Sequence, residues 1–285
     1  MSRSLFYAAL NHDFSEAILG GCQSTFDSTG WLDSPPPENP EREREDFTCI
    51  STEIARHMIQ LPRLVALVRQ VRSDPFHADA SIEALSLAEH LYCRYSDIIA
   101  SRIDAVLITG AASVDTLDEE LARYCPKSLE FEWFNIFEGV VRCYYVRILV
   151  LHLCATLRTT FPFSPILNAA DLEEEEAQCA ALIAASVQYA EKQEPFLLGA
   201  LIMRLPLQVA YGTWWRRMTH DSMEQDQVWE GEKATFMEEW CAQKTNAFIE
   251  VLNGDHVSKH KLRAMYVAAA EGGPWEICKQ KGPLV

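Results

Sequence analysis

The residues best suited to chemistry sit in one long apolar run. Between Leu129 and Leu157 aliphatic and aromatic residues fall on almost every side of a helix, yet the run carries Glu138, Arg142, Arg147 and His152 among its charged groups. A charged group inside a buried helix is costly unless it is paired or has chemical work to do. At about 100° per residue, Arg142 lies one turn from Glu138 and His152 returns to the same side, so Glu138 and Arg142 suit an i, i+4 ion pair. Arg147 falls roughly 140° from Arg142, in the stretch Tyr144-Tyr145-Val146-Arg147-Ile148-Leu149. Two roles are open to it: a bond to a carboxylate or to helix-end carbonyls inside the protein, or a donor aimed into a cavity. Tyr211, Trp214 and Trp215 close a later apolar helix just before Arg216-Arg217. They either pack in the core beside a cationic helix end or wall an apolar pocket with polar tips. Taken as a site, Arg147 and Tyr144 would donate hydrogen bonds to a substrate carbonyl and His152 would shuttle a proton. Tyr211, Trp214, Trp215 and Arg142 would hold the substrate. Such a set needs no cofactor or metal, and it suits a cyclisation, isomerisation or pericyclic step helped by restricted conformers and stabilised charge.

Other chemistries lack their residues. Diphosphate ionisation needs two acidic clusters that hold magnesium across a helical barrel. Asp118-Glu119-Glu120 has Ala122 where a further acid belongs, and Asp171-Leu172-Glu173 lacks the adjacent pair. The run Glu173 to Glu176 has a simpler role in the first turn of a helix, where carboxylates favour the positive end of the dipole. His256 and His260 stand at i, i+4 but have no third ligand. The chain contains no Gly-x-x-x-x-Gly-Lys loop, no Gly-x-Gly-x-x-Gly and no Gly-x-Ser-x-Gly, so nucleotide cradles and nucleophile elbows are missing.

The elements that must position these residues read as helices. With 48% hydrophobic residues, the 285-residue chain can bury a real core. Residues 1–46 predict a short amphipathic helix ended by Gly20-Gly21, then a linker from Cys22 to Asp46 rich in Ser, Pro and mixed charge. Residues 47–285 predict one all-helical domain, a bundle of about 8 to 10 helices around the apolar 129–157 helix. Its further helices are expected over Thr52–Val71, Ala80–Thr109, Thr116–Tyr124, from the acidic run to Glu194, from Pro195 to Trp215, Gln227–Asn253 and Ser258–Glu271. No strand-like alternation stands out. Lys+Arg 25 against Asp+Glu 41 leaves a net charge of −16, which repels nucleic-acid phosphates and anionic lipid surfaces. The apolar stretch Leu5–Leu10 is short for a signal-peptide core. Uncharged stretches such as Ala177–Ala190 fall below the roughly 18 to 20 residues that cross a bilayer, so no membrane span is expected. Nine scattered cysteines without a Cys-x-x-Cys pair read as reduced thiols in the cytoplasm or nucleus.

The segment from Trp133 to His152, with Asn135, Arg142, Arg147 and His152 in order, together with Ser186-Val-Gln-Tyr189 and Leu205-Pro-Leu-Gln-Val-Ala210, resembles the helical regulatory region of fungal zinc-cluster transcription factors. The resemblance covers residues 47 to 255, mostly as hydrophobic pattern. The six-cysteine module and basic stretch that let those factors read DNA have no counterpart here. The resemblance implies the effector or ligand-sensing half of such a regulator. Two functions are then expected. One is a regulator-like scaffold turned into a cofactor-free enzyme of fungal secondary metabolism, acting on an apolar small molecule within an enclosed pocket. The other is an accessory regulator or metabolite sensor that never touches DNA and offers a partner surface near Gln227–Asn253. A homodimer is left open.

Overall fold

Apolar residues recurring every three to four positions drive nearly all of the described chain into helices. The computed structural model describes residues 3–20, 22–27, 45–164, 171–194, 196–220 and 228–270. In order they form α1 (Arg3–Gly20), α2 (Glu45–Ser73), α3 (Ala78–Arg94), a π-turn (Tyr95–Ala100), α4 (Ser101–Gly110), β1 (Ala111–Asp115), a 3-10 turn (Leu121–Arg123), β2 (Lys127–Phe131), α5 (Phe134–Thr160), α6 (Leu172–Ala185), α7 (Val187–Glu191), α8 (Phe196–His220), α9 (Val228–Asn253) and α10 (Lys259–Ala270). Among the described residues the fold is all-α apart from one hairpin. Contacts divide the chain into two compact units, Met1–Ala105 with Leu149–Glu173 and Val267–Val285, and Val106–Ile148 with Glu174–Tyr266.

In the first unit α1 packs on α2 and α2 on α3. Leu10, Phe14 and Ile18 of α1, Ile54, Met58, Leu61, Val65 and Val68 of α2, and Leu87 and Leu91 of α3 are all buried. The helix expected over Thr52–Val71 thus packs these residues, which recur every three to four positions, as the core face of α2, and Pro62 lies inside that helix. After α1, the Asp13 carboxylate accepts bonds from Ser24 Oγ at 2.5 Å and the Thr25 amide at 3.1 Å, fixing the turn. Glu45 and Asp46, expected in the linker, already belong to α2, while residues 28–44, with the proline run, lie outside the described residues. So do Asn168, whose side chain suits a cap for the helix that carries the acidic run, Pro195, the expected start of the next helix, and the Gly272-Gly273 pair expected to end the last one.

In the second unit the long pair α8 and α9 packs together, and α7 packs on both α8 and β2. Phe131, Phe137 and Tyr189 form an aromatic cluster with ring centroids 5.1 to 5.6 Å apart. Two glycines permit close approaches. A Cβ on Gly199 would lie 2.2 Å from the Ala190 carbonyl oxygen, and one on Gly212 would lie 1.9 Å from the Tyr266 ring.

Four sequence expectations change. The hairpin β1–β2 pairs Ala111 with Phe131 through Asp115 with Lys127, antiparallel, where no strand was expected. The helix expected from Leu129 starts at Phe134, because Leu129 and Phe131 alternate with Glu130 and Glu132 and the segment takes a strand's period of two. The helix expected over Thr116–Tyr124 is a loop with a single 3-10 turn, held by Asp118, whose Oδ1 accepts the Glu120 and Leu121 amides. Lastly, α5 and Phe196–Thr219 of α8 are long and apolar enough to cross a bilayer by length and composition. Each carries a few charges along its length, which break it into uncharged runs shorter than a span. Within the apolar window of α5, 94% of the residues are buried in the protein, as in a core helix, against 61% for α8.

Candidate functional site

Arg147 has a partner. Its side chain is 1% exposed, and its Nε and Nη2 both reach Glu175 Oε1, at 2.7 and 2.6 Å. Arg142 donates to Glu138 one turn earlier, as the spacing predicts. Beside that pair, burial pushes the Tyr145 phenol up to about 12, with Arg142 acting against it. Tyr144 is 4% exposed and His152 2%. Arg147 and Tyr144 belong to the second unit and His152 to the first, where α5 passes from one to the other at Ile148 and Leu149.

The acidic run at the start of α6 does more than favour a helix dipole. Successive carboxylates point about 100° apart, so each finds a different arginine. Glu173 meets Arg158 at 3.5 Å, Glu174 meets Arg217 at 3.1 Å, Glu175 meets Arg147, and Glu176 meets Arg216. Glu176 is fully buried and also accepts the Tyr266 hydroxyl at 2.9 Å. Burial and the Glu176 charge raise the Tyr266 phenol well above its ordinary value, so it stays a donor.

A second polar cluster takes in Tyr211 and Trp215 of the expected pocket residues. Tyr211 is fully buried; its oxygen accepts from Arg263 Nε at 3.0 Å, and its hydroxyl reaches the Lys259 carbonyl at 3.5 Å. Glu238, 3% exposed, accepts from Arg263 at 3.1 Å and from Lys259 at 2.6 Å. Burial and Glu238 raise the Tyr211 phenol. Burial alone would lower the Lys259 ammonium, but bonds to Glu238 and Glu239 raise it. The Arg263 guanidinium lies 5.6 Å from the half-buried Trp215 ring, and Lys233 lies 5.8 Å from that of Trp214. The Trp214 indole Nε1 is buried without a hydrogen-bond partner. Glu238, Lys259, Arg263 and Tyr266 were not singled out from the sequence. Their only signal was a cationic i, i+4 pair, Lys259 and Arg263, on a short amphipathic helix.

Other expectations resolve into structure. His256 lies in the loop before α10, not on a helix face with His260. Asp118 serves its own loop and the Trp240 indole, 3.0 Å away. The apolar face of α9, expected as a partner surface, buries Ala234, Met237, Trp240, Cys241, Phe248 and Ile249. A cleft of about 560 Å3 opens in the first unit, between Gln60 and Arg63 of α2 and Ile82, Glu83, Leu87 and His90 of α3. None of the expected site residues lines it, and it is open and charged at its rim. Arg63 there lies 3.4 Å from Asp27 and 4.0 Å from Glu83. No group of three or more metal-binding side chains occurs among the described residues.

No protein-family model, curated protein or solved structure matches the chain.

Proposed function

We propose that this chain works by binding and not by catalysis, as a non-DNA-binding accessory regulator or metabolite sensor in the cytoplasm or nucleus. The observation that carries this reading is the pairing of Arg147 with Glu175. The donor best placed to act on a substrate carbonyl is already bonded twice inside the protein, and Arg142 and Tyr211 are likewise engaged. The net charge of −16 supports a partner other than nucleic acid, and the resemblance to the helical regulatory region of zinc-cluster factors supports a regulatory role.

A second reading, a cofactor-independent enzyme that cyclises, isomerises or joins by a Diels–Alder-type step an apolar substrate of fungal secondary metabolism, draws on one observation. Tyr211, Arg263, Glu238 and Lys259 bring donors and a carboxylate together near Trp215, while Trp214 keeps an unused indole N–H.

Deleting the gene in its native host, with transcript and metabolite profiles from the same cultures, separates the two. The regulatory reading expects transcripts of neighbouring genes to collapse and the whole product series to fall. Accumulation of one uncyclised intermediate with unchanged transcripts would establish the enzyme instead.

A further inference from the structure

Among the described residues, the hairpin leaves one edge of β1 open. In an antiparallel pair, residues alternate between bonding their partner strand and pointing their backbone away from it. The Glu132 amide bonds the Gly110 carbonyl at 2.9 Å, and the Thr116 amide bonds the Pro126 carbonyl at 3.2 Å. Even-numbered residues of β1 thus face β2, and Ala111, Ser113 and Asp115 present their backbone outward. At one end the Gln188 side chain already fills the place of a strand residue, accepting from the Leu117 amide at 2.8 Å and donating to the Asp115 carbonyl at 3.5 Å. The backbone of Ser113 has no such partner among the described residues.

The surroundings select an occupant. Large apolar residues bracket the hairpin: Ile108 is 81% exposed, Leu117 72% and Trp133 61%. Glu119, Glu120 and Glu132 are exposed around it without ion pairs among the described residues, whereas Lys127 and Lys192 are taken by Asp115 and Glu130, and Arg123 offsets one charge. A second copy would bring another −16 to an acidic edge.

We infer that the open edge of β1 takes an extended segment of a partner protein that alternates apolar and basic residues. Its backbone adds a strand at Ala111 and Ser113, its apolar side chains cover Ile108, Leu117 and Trp133, and its cations meet Glu119, Glu120 and Glu132. The assignment rests on the regulatory reading and specifies its partner.

The full chain is titrated into a labelled peptide, (Lys-Val)4, and fluorescence anisotropy is followed. Ser113→Pro removes an outward N–H that β2 does not use, so the hairpin tolerates it, which a thermal melt verifies. The expected result is salt-sensitive binding that Ser113→Pro weakens about ten-fold or more. Neutralising Glu119, Glu120 and Glu132 to Gln is expected to weaken it several-fold and to flatten its salt dependence, and (Glu-Val)4 should not bind. No binding of (Lys-Val)4, equal binding by folded Ser113→Pro, or equal binding of (Glu-Val)4 would overturn the assignment. A sedimenting dimer that Ser113→Pro dissociates would give the edge to a second copy instead. If the peptide fails while gene deletion still collapses transcripts, only the edge assignment falls. If deletion accumulates one intermediate, the regulatory reading falls whatever the peptide does.

Discussion

The two units draw on different mixtures of partners for their buried polar groups. In the first, one buried carboxylate, Glu53, holds Arg56 at 2.6 Å and Arg94 of α3 at 2.9 Å, and ring and guanidinium nitrogens elsewhere approach backbone carbonyls. The two ring nitrogens of His57, which is 1% exposed, lie 2.7 Å from the Glu53 carbonyl and 3.0 Å from the Leu91 carbonyl, tying α2 to α3. Arg69 donates to the Ile18 carbonyl at 2.9 Å and to that of Ala268 at 2.7 Å, and burial lowers its guanidinium from the ordinary value. In the second unit carboxylates do this work: Glu175, Glu176 and Glu238 each hold one or more cations from another helix. A carbonyl keeps its dipole whatever the neighbouring side chain does, but a carboxylate left without its cation is an uncompensated charge. The second unit, whose Glu176 is fully buried, thus has more to lose at that residue than the first has at His57.

The largest test of this contrast is Glu176→Ala. It strips Arg216 and the Tyr266 hydroxyl of their shared acceptor inside the core, and urea unfolding should show a loss of about 3 to 5 kcal/mol. His57→Ala, its counterpart in the first unit, leaves two carbonyls that keep their helical surroundings, and about 1 to 3 kcal/mol is expected in the same assay. A larger loss at His57 than at Glu176 would reverse the comparison.

Arg147→Met sharpens it further. The side chain is replaced by an apolar one of similar length, and Glu175, 34% exposed, can turn to water, so a cost of about 1 to 2 kcal/mol is expected. In the deletion host, the folded variant should restore transcript levels like the parent chain. Failure to do so at a temperature where it is folded would give Arg147 a role beyond structure.

The smallest effect concerns acid. Burial would raise the Asp118 carboxyl, but the Trp240 indole, the Leu121 and Glu120 amides and Lys244 together hold it below its ordinary 3.8. Its contribution is therefore present above that value and is lost as pH falls through the lower folded value. Asp118→Asn should flatten the stability profile below about pH 4 and leave the rest of the curve parallel to that of the parent chain.

Much of the helical layout was legible because burial imposes a period of 3.6 on every helix that packs. The core stripe of α2, the apolar α5 and the Glu138–Arg142 pair depend on residues within a turn or two of one another. The hairpin was harder to read. Ala111 to Asp115 has weak strand propensity, and its pairing with residues 127–131 alone makes it a strand. The site was hardest, because a cation looks the same in sequence whether it faces a cavity or a carboxylate.

The sequence by itself determined an acidic, helical chain with charged residues set in the apolar α5, since composition and periodicity act locally. Only the tertiary structure decided what those residues meet. The partners of Arg147 and Tyr266 stand 28 and 90 positions away, and no short-range pattern reveals which of four consecutive glutamates will take which arginine. Each choice depends on the angle at which α6 presents its first turn to the helices around it.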